Sequence, residues 1–282
     1  MDKVVVLDFG SQYTQLIARK IRELGIFSEI FSYDISLRSL KKEEPSALIL
    51  SGGPQSVYED GAPLVSPEVL RLGIPVLGIC YGLQILAHVL GGKVIPSKRR
   101  EYGFASLDIK DRGGLLRGIR NKNQVWMSHG DNVLKVPEGF VVSGVTSYAT
   151  TAVIEDREKG LYGVQFHPEV IHTRQGMTIL SNFVFCIAGL KSDWTMGSFI
   201  QTKVEEIRRQ VGKGRVICGL SGGVDSLVTS LIVHRAVKSN LHCLFVDNGL
   251  LRKGQYHDLM EKFRKKFSLN VVGVEASDAF LE

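Results

Sequence analysis

The sequence predicts an α/β protein: a mostly parallel sheet flanked by helices, followed by a second, partial α/β unit. Three observations predict it. Short, wholly apolar runs such as Val4-Val5-Val6-Leu7 and Ala47-Leu48-Ile49-Leu50 lack the polar alternation of half-exposed strands, as strands buried on both faces do. Segments of helical period lie between them, and strands alternating with helices point to a parallel sheet covered on both sides. Glycine-rich clusters follow several of the runs, at Ser51-Gly52-Gly53-Pro54, at Gly78 to Gly82 and at Ser221-Gly222-Gly223.

The elements follow in order. The first run ends at Asp8-Phe9-Gly10, and residues 12–24 place Leu16, Ile17, Ile21 and Leu24 at helical spacing before stopping at Gly25. Residues 28–31, 47–50 and 75–79 read as further strands, with a helix over 83–90. From 104 to 154 the helical period fades. Short β-like pieces at 106–109, 125–127, 141–145 and 151–154 read as antiparallel strands added to the parallel core. A buried strand returns at 161–166, and a helix over 177–188 ends at Gly189, closing a first domain at residues 1–190. The second domain, 191–282, opens with a helix over 197–210. A strand at 216–220, a loop at 221–226 and a helix over 227–237 follow. A strand at 242–246, a helix over 256–267 and a strand from 271 come next, and the second domain reads as unfinished.

Apolar residues make up 44% and charged residues 23% of the 282, which excludes a disordered or collagen-like chain. The net charge of +6 leans toward the C-terminal third, suiting a phosphate-bearing substrate, but is too diffuse to argue for nucleic acid. Cys80, Cys186, Cys218 and Cys243 form no CxxC pair, and the N-terminus is charged too soon for a secretory leader. A reducing cytoplasm is therefore expected, without disulfides or zinc. Residues 74–92 carry no charge, yet Pro75, Gly78, Gly82, Gln84, His88 and Gly91 read as strand, turn and buried helix, not as a membrane span.

Gly78-Ile79-Cys80-Tyr81-Gly82 sits where a strand gives way to a helix. A nucleophile on such a sharp turn needs small flanking residues, and the helix N-terminus beneath it favours a thiolate. Taken alone, the motif is equally a small buried cysteine beside glycines that permit a turn. Gln165-Phe166-His167-Pro168-Glu169 follows another buried strand, so its side chains emerge at the same sheet edge. There His167 can move the cysteine proton and Glu169 can orient the imidazole; alone, this is a loop with a solvated carboxylate. Ser51-Gly52-Gly53-Pro54 leaves N–H groups free for a developing oxyanion, with the N–H of Tyr81 as second donor, or else is an ordinary turn.

The set SGGP, GICYGLQ and QFHPE, in this order, resembles the class I glutamine amidotransferase family, of flavodoxin-like fold, over residues 3–189. The resemblance implies that Cys80 attacks the side-chain amide of glutamine, with Cys80, His167 and Glu169 as the triad and Gly53 and Tyr81 as oxyanion donors. It implies glutamine binding by Gly52 and Gln84, and by Ser128 and His129 in Trp126-Met127-Ser128-His129-Gly130-Asp131. That last segment is equally a buried strand end with a satisfied histidine.

Ser221-Gly222-Gly223-Val224-Asp225-Ser226, between strand and helix, offers amide N–H groups to anionic oxygens and lacks the Walker lysine. The pattern resembles the PP-loop of ATP pyrophosphatases (adenine nucleotide alpha hydrolase-like). This implies ATP bound by Ser221, Gly222, Gly223, Val224, Asp225 and Ser226, with Asp225 as a Mg²⁺ ligand and Val246 bordering the adenine. A Gly/Ser turn with Asp at a helix start is the alternative. Arg252 and Lys253 face phosphate or form a solvated basic turn, and Lys262, Arg264, Lys265 and Lys266 form a wet helix face.

An amidotransferase followed by a PP-loop domain, with FVDNGLLR in the second, resembles the glutamine-hydrolysing GMP synthase family. That implies amination of XMP at the expense of MgATP, no prosthetic group, and homodimers for full-length members. The remainder of the ATP domain and a C-terminal dimerisation domain of that family have no counterpart in these residues, and Leu227 stands where a second Ser is usual. Ranked behind this are a glutaminase serving another acceptor and a non-catalytic module that binds glutamine or ATP.

Overall fold

The computed structural model describes residues 2–281, apart from the side chains of residues 98–100. The chain divides into two compact units after Trp194. That is four residues beyond the expected boundary, since the Trp194 N–H donates to the Gly25 carbonyl at 2.9 Å and its ring packs near Phe27.

Among the described residues, the first unit is built on nine strands: β1 (Lys3–Asp8), β2 (Phe27–Ser32), β3 (Ala47–Leu50), β4 (Val76–Ile79), β5 (Lys93–Ile109), β6 (Asn123–Lys135), β7 (Val141–Val145), β8 (Val153–Asp156) and β9 (Leu161–Val164). Their order is β2-β1-β3-β4-β9-β8-β7-β5-β6. The first five run parallel, and β8, β7, β5 and β6 add antiparallel pairings. The two-residue period of a strand divides each apolar run between two cores. Val4 and Val6 of β1, with Ala47 and Ile49 of β3, enter one cluster; Val5, Leu7, Leu48 and Leu50 enter the other.

Helix α1 (Thr14–Glu23) buries Ile17, Ala18 and Ile21 against the first cluster. Two further helices, α2 (Leu37–Lys42) through Leu40 and α3 (Tyr81–Val89) through Leu83, Ile85 and Leu86, cover the second. Such burial stabilises by about 1.5–3 kcal/mol per large side chain. The sequence reading did not foresee α2, a short helix capped by Ser36.

The largest departure is the β5–β6 ribbon, 17 and 13 residues long where only short pieces were expected. Pro96, Gly103, Gly130 and Asp131 dilute its local pattern, and pairing of one strand with the other sustains it. The helix expected at 177–188 is α4 (Gly176–Ser181) followed by a π-helical turn, Asn182–Ile187. There Asn182 Nδ2 donates to the carbonyls of Leu115 and Arg117.

The second unit contains α5 (Met196–Val211), β10 (Val216–Leu220), α6 (Val224–Val237), β11 (Leu241–Asp247), α7 (Gln255–Glu261), β12 (Val271–Glu275) and α8 (Ser277–Leu281). Its three strands are parallel in sequence order, around a core that includes Leu220, Cys243, Phe245, Met260 and Phe263. Two expectations are corrected here. Helix α6 begins at Val224, not 227, so Val224, Asp225 and Ser226 form its first turn instead of a loop. Residues 262–266 form a π-helical turn in which the Arg264 guanidinium donates to the Val271 carbonyl, so Arg264 is not a purely wet side chain. No helix among the described residues is long and apolar enough to cross a membrane.

Candidate active site

Register places the site. Ile79 at the end of β4 pairs with Val164 at the end of β9, so Cys80 and Gln165 leave the sheet side by side. Leu50 of β3 lies between Leu7 and Gly78, bringing Ser51-Gly52-Gly53 to the same carboxyl edge. In parallel sheets this edge carries the free loops and helix N-termini.

Cys80 joins β4 to α3 with φ +55° and ψ −103°, a conformation costly for a residue with a Cβ. The flanking glycines allow it. A Cβ on Gly78 would run into the backbone of Gly82, and one on Gly82 would run into the carbonyl oxygen of Leu50. The elbow is further pinned by the Cys80 N–H, which donates to the Val164 carbonyl at 2.7 Å. The sulfur lies 3.5 Å from the Ser128 carbonyl oxygen and receives Gln165 Nε2 at 3.8 Å.

Two buried groups complete the centre. His167 Nδ1 donates to Glu169 Oε1 at 2.7 Å, and the Glu169 side chain is wholly buried. Burial pushes the imidazole toward its neutral form. The Glu169 carboxylate and then the Cys80 sulfur outweigh this, holding its pKa well above the ordinary 6.5. The backbone of His167 is clamped as well: its N–H donates to the Trp126 carbonyl at 3.0 Å. Thr173 Oγ1 donates to the His167 carbonyl at 2.6 Å while accepting from the Trp126 N–H at 3.0 Å. Tyr13 packs edge-on to the imidazole, with ring centroids 5.0 Å apart.

Cys80 and His167 line one cavity of about 650 Å³ together with Gly53, Tyr81, Gln84, Ser128, His129 and Asp131. Gly53 is packed so closely that a Cβ would sit 2.8 Å from the Phe9 carbonyl oxygen and 3.0 Å from the Tyr81 ring. A Cβ on Gly52 would lie 3.2 Å from His167 Cε1. Gln84 is buried in the wall, and its Nε2 donates to the Asp131 carbonyl at 3.3 Å.

Ser128 and His129, expected to act together, point to opposite faces of β6 because side chains alternate along a strand. His129 is turned inward. Its Nδ1 donates to the Asp131 carbonyl at 2.9 Å, and Nε2 lies 3.4 Å from Glu101 Oε2 without hydrogen-bond alignment. Its ring is thus engaged with its own chain. Sequence reasoning missed Tyr13, Glu101, Thr173, Ser56 and Tyr58, and took in Asp131 only as the end of the segment 126–131. The missed residues carry no local motif, and their contacts form only in three dimensions.

In the second unit the segment 221–226 closes on itself. Ser226 Oγ accepts from the Ser221 N–H at 3.2 Å and lies 3.0 Å from Ser221 Oγ, and Gly222 takes φ +82°. Asp225 lies in the first turn of α6. Val246 is on β11, paired with Val274 and 40% exposed. Arg252 and Lys253 line a separate cavity of about 400 Å³ with Asp247, Tyr256 and Glu275. No cluster of three metal-ligating side chains occurs among the described residues.

A cysteine elbow, a buried imidazole–carboxylate pair and a shared cavity on this sheet are what a glutaminase of the amidotransferase class needs. The sequence matches the class-I glutamine amidotransferase family over residues 5–187, and the chain belongs to that family. Within it, the chain is 52% identical over 279 residues to the glutamine-hydrolysing GMP synthase of Carboxydothermus hydrogenoformans, and 49% identical over 278 residues to that of Staphylococcus aureus. These alignments cover 99% of the chain but 55% and 54% of the relatives, so it spans about half their length. Among solved structures, it resembles a Thermoplasma acidophilum protein provisionally described as one subunit of a GMP synthase. The TM-score is 0.61 at 30% identity, covering 67% of this chain and 94% of the other. A Thermotoga maritima glutamine amidotransferase shares the fold, with TM-score 0.54 at 19% identity over 67% of this chain and 99% of that one.

Proposed function

We propose that this chain hydrolyses glutamine at Cys80 and serves as the ammonia-producing part of a GMP synthase. One observation carries the first part: a cysteine on a strained elbow shares a cavity with an imidazole whose Nδ1 is paired to a buried carboxylate. The Cys80 sulfur attacks the side-chain amide carbon of glutamine, and its proton passes to His167 Nε2. The oxygen that gains charge is met by the N–H groups of Gly53 and Tyr81, where packing fixes the backbone before substrate arrives. His167 returns the proton to the leaving nitrogen, ammonia departs, and a glutamyl thioester remains. Water, deprotonated by the same imidazole, releases glutamate and restores the thiol. Glu169 keeps the Nδ1 proton in place so that Nε2 faces the sulfur. Gly52, Gln84, Ser128 and His129 shape the glutamine-binding wall.

In the second unit we assign Ser221 to Ser226 to the phosphates of ATP. The closed Ser221–Ser226 turn and the N-terminus of the 14-residue α6 support this reading. The donor set fits a metal ion that arrives as MgATP. Mg²⁺ keeps most of its waters and phosphate oxygens and needs one or two protein carboxylates, a part Asp225 can take. Val246 would border the adenine. The acceptor would be XMP, adenylylated at the expense of ATP and then aminated to GMP with release of AMP and pyrophosphate; the relatives' name, glutamine-hydrolysing GMP synthase, supports GMP as the product and glutamine as the nitrogen source.

The test is glutamate release from glutamine by this chain and by Cys80→Ala, alongside GMP formation from XMP, MgATP and ammonia. Cys80-dependent glutamate release without GMP formation is expected of these residues alone. Equal glutamate release by both proteins would sink the glutaminase reading.

A further inference from the structure

Across the cavity from Cys80, residues 54–59 run from the end of β3 toward β6, and a single carboxylate ties them there. Asp131, 8% exposed, accepts from Ser56 Oγ at 2.6 Å through Oδ2 and from the Tyr58 hydroxyl at 2.8 Å through Oδ1. Both donors lie more than 70 positions away in sequence. The Asp131 backbone is fixed from behind, since its carbonyl accepts from Gln84 Nε2 and from His129 Nδ1. The carboxylate is therefore an anchored hook. Ser56, Tyr58, Glu59 and Asp131 all line the cavity that holds Cys80. Only Val57 of the segment reaches a core cluster, while Tyr58 remains 42% exposed.

We propose that Ser56 and Tyr58 are positioning residues for the glutaminase reaction, holding residues 54–59 through Asp131 as a strap across the mouth of the Cys80 cavity. This rests on the glutaminase reading. The segment has no regular secondary structure, is held on the core side by Val57 and carries Glu59, which prefers water, so the two donors fix the cavity side of its path. Burial, followed by the Asp131 carboxylate, raises the Tyr58 hydroxyl above its ordinary pKa, so it remains a donor through neutral pH. Gly53, at the root of the strap, is locked independently by Phe9 and Tyr81. Loosening the strap should then weaken glutamine retention and leave the oxyanion position intact.

The experiment compares Tyr58→Phe, Ser56→Ala, their double variant and Ser56→Thr in the full chain. Each single loss of a hydrogen bond to a carboxylate should raise KM for glutamine about tenfold, and the double further, with kcat within about threefold. Ser56→Thr, which keeps the hydroxyl, should retain the original KM. Alkylation of Cys80 by iodoacetamide should quicken about tenfold in the double variant. Original KM and alkylation rate in the double variant would overturn the proposal, as would a lost kcat at unchanged KM. The alkylation arm needs no turnover. If the unsubstituted chain releases no glutamate, the glutaminase reading fails, and the strap still stands or falls on Cys80 access.

Discussion

The Gly82→Ala substitution isolates the geometric demand of the elbow. The added Cβ would overlap the Leu50 carbonyl oxygen and approach Leu50 Cβ to 2.8 Å and Leu50 carbonyl carbon to 2.9 Å. The neighbours include backbone of a central strand, wholly buried, so no flexible side chain can give way. Helix α3 must instead shift from β3 by up to about 1 Å, and overpacking of this kind costs about 1–3 kcal/mol. At about 2–4 °C per kcal/mol for a unit of this size, Tm should fall by roughly 2–12 °C. Because Cys80 precedes α3 directly, the shift moves the sulfur relative to His167, and a displacement of about 1 Å should reduce kcat roughly 100-fold. The assays are thermal unfolding and glutamate release, with Gly197→Ala as control, since a Cβ there meets only Thr195 Oγ1 at 3.7 Å. If Gly82→Ala melts within about 1–2 °C of the original and retains kcat within about threefold, the packing argument for the elbow is wrong.

Further predictions concern the imidazole and the nucleotide loop. The folded-state pKa of His167 is raised, so its stabilising contribution is complete below about pH 6.5 and is lost as pH rises through the folded value. Glu169→Gln should accordingly lower Tm most near pH 6, with the gap closing on the alkaline side; a gap that widens with pH would contradict this. Thr173→Val removes the donor to the His167 carbonyl and the acceptor for the Trp126 N–H. It should cost about 1–3 kcal/mol and slow glutamate release about tenfold, and melting curves and rates equal to the original would rule that out. Asp225→Asn should weaken MgATP binding about tenfold by calorimetry, and equal affinities would remove Asp225 from the proposed metal contact.

Much of the site announces itself locally. Gly78 is required by Gly82 four residues on and Gly82 by Leu50 of the adjacent strand, yet both flank Cys80 at a fixed spacing, and Glu169 reaches His167 across two positions, so both patterns survive in a linear reading. The apolar runs of β1 and β3 are likewise legible, because burial on both faces leaves no place for a polar residue. The long β5–β6 ribbon was not, for its residues are held by partners on the other strand and not by their own pattern. His129 shows the same limit: its contacts with the Asp131 carbonyl and with Glu101 are set by strand alternation and pairing, and no local pattern announces them.

Chain order and residue type by themselves determined the parallel core, the elbow and the imidazole–carboxylate pair, since each leaves a mark in local composition: unbroken apolar runs, glycines around the cysteine, and a carboxylate two positions from the histidine. Only the tertiary structure decided that Thr173 clamps His167, that Tyr13 packs on its ring and that Ser56 and Tyr58 converge on Asp131. Those contacts join segments distant along the chain or side chains that no motif pairs. Strand order and register set such distances, and no local period in the sequence encodes them.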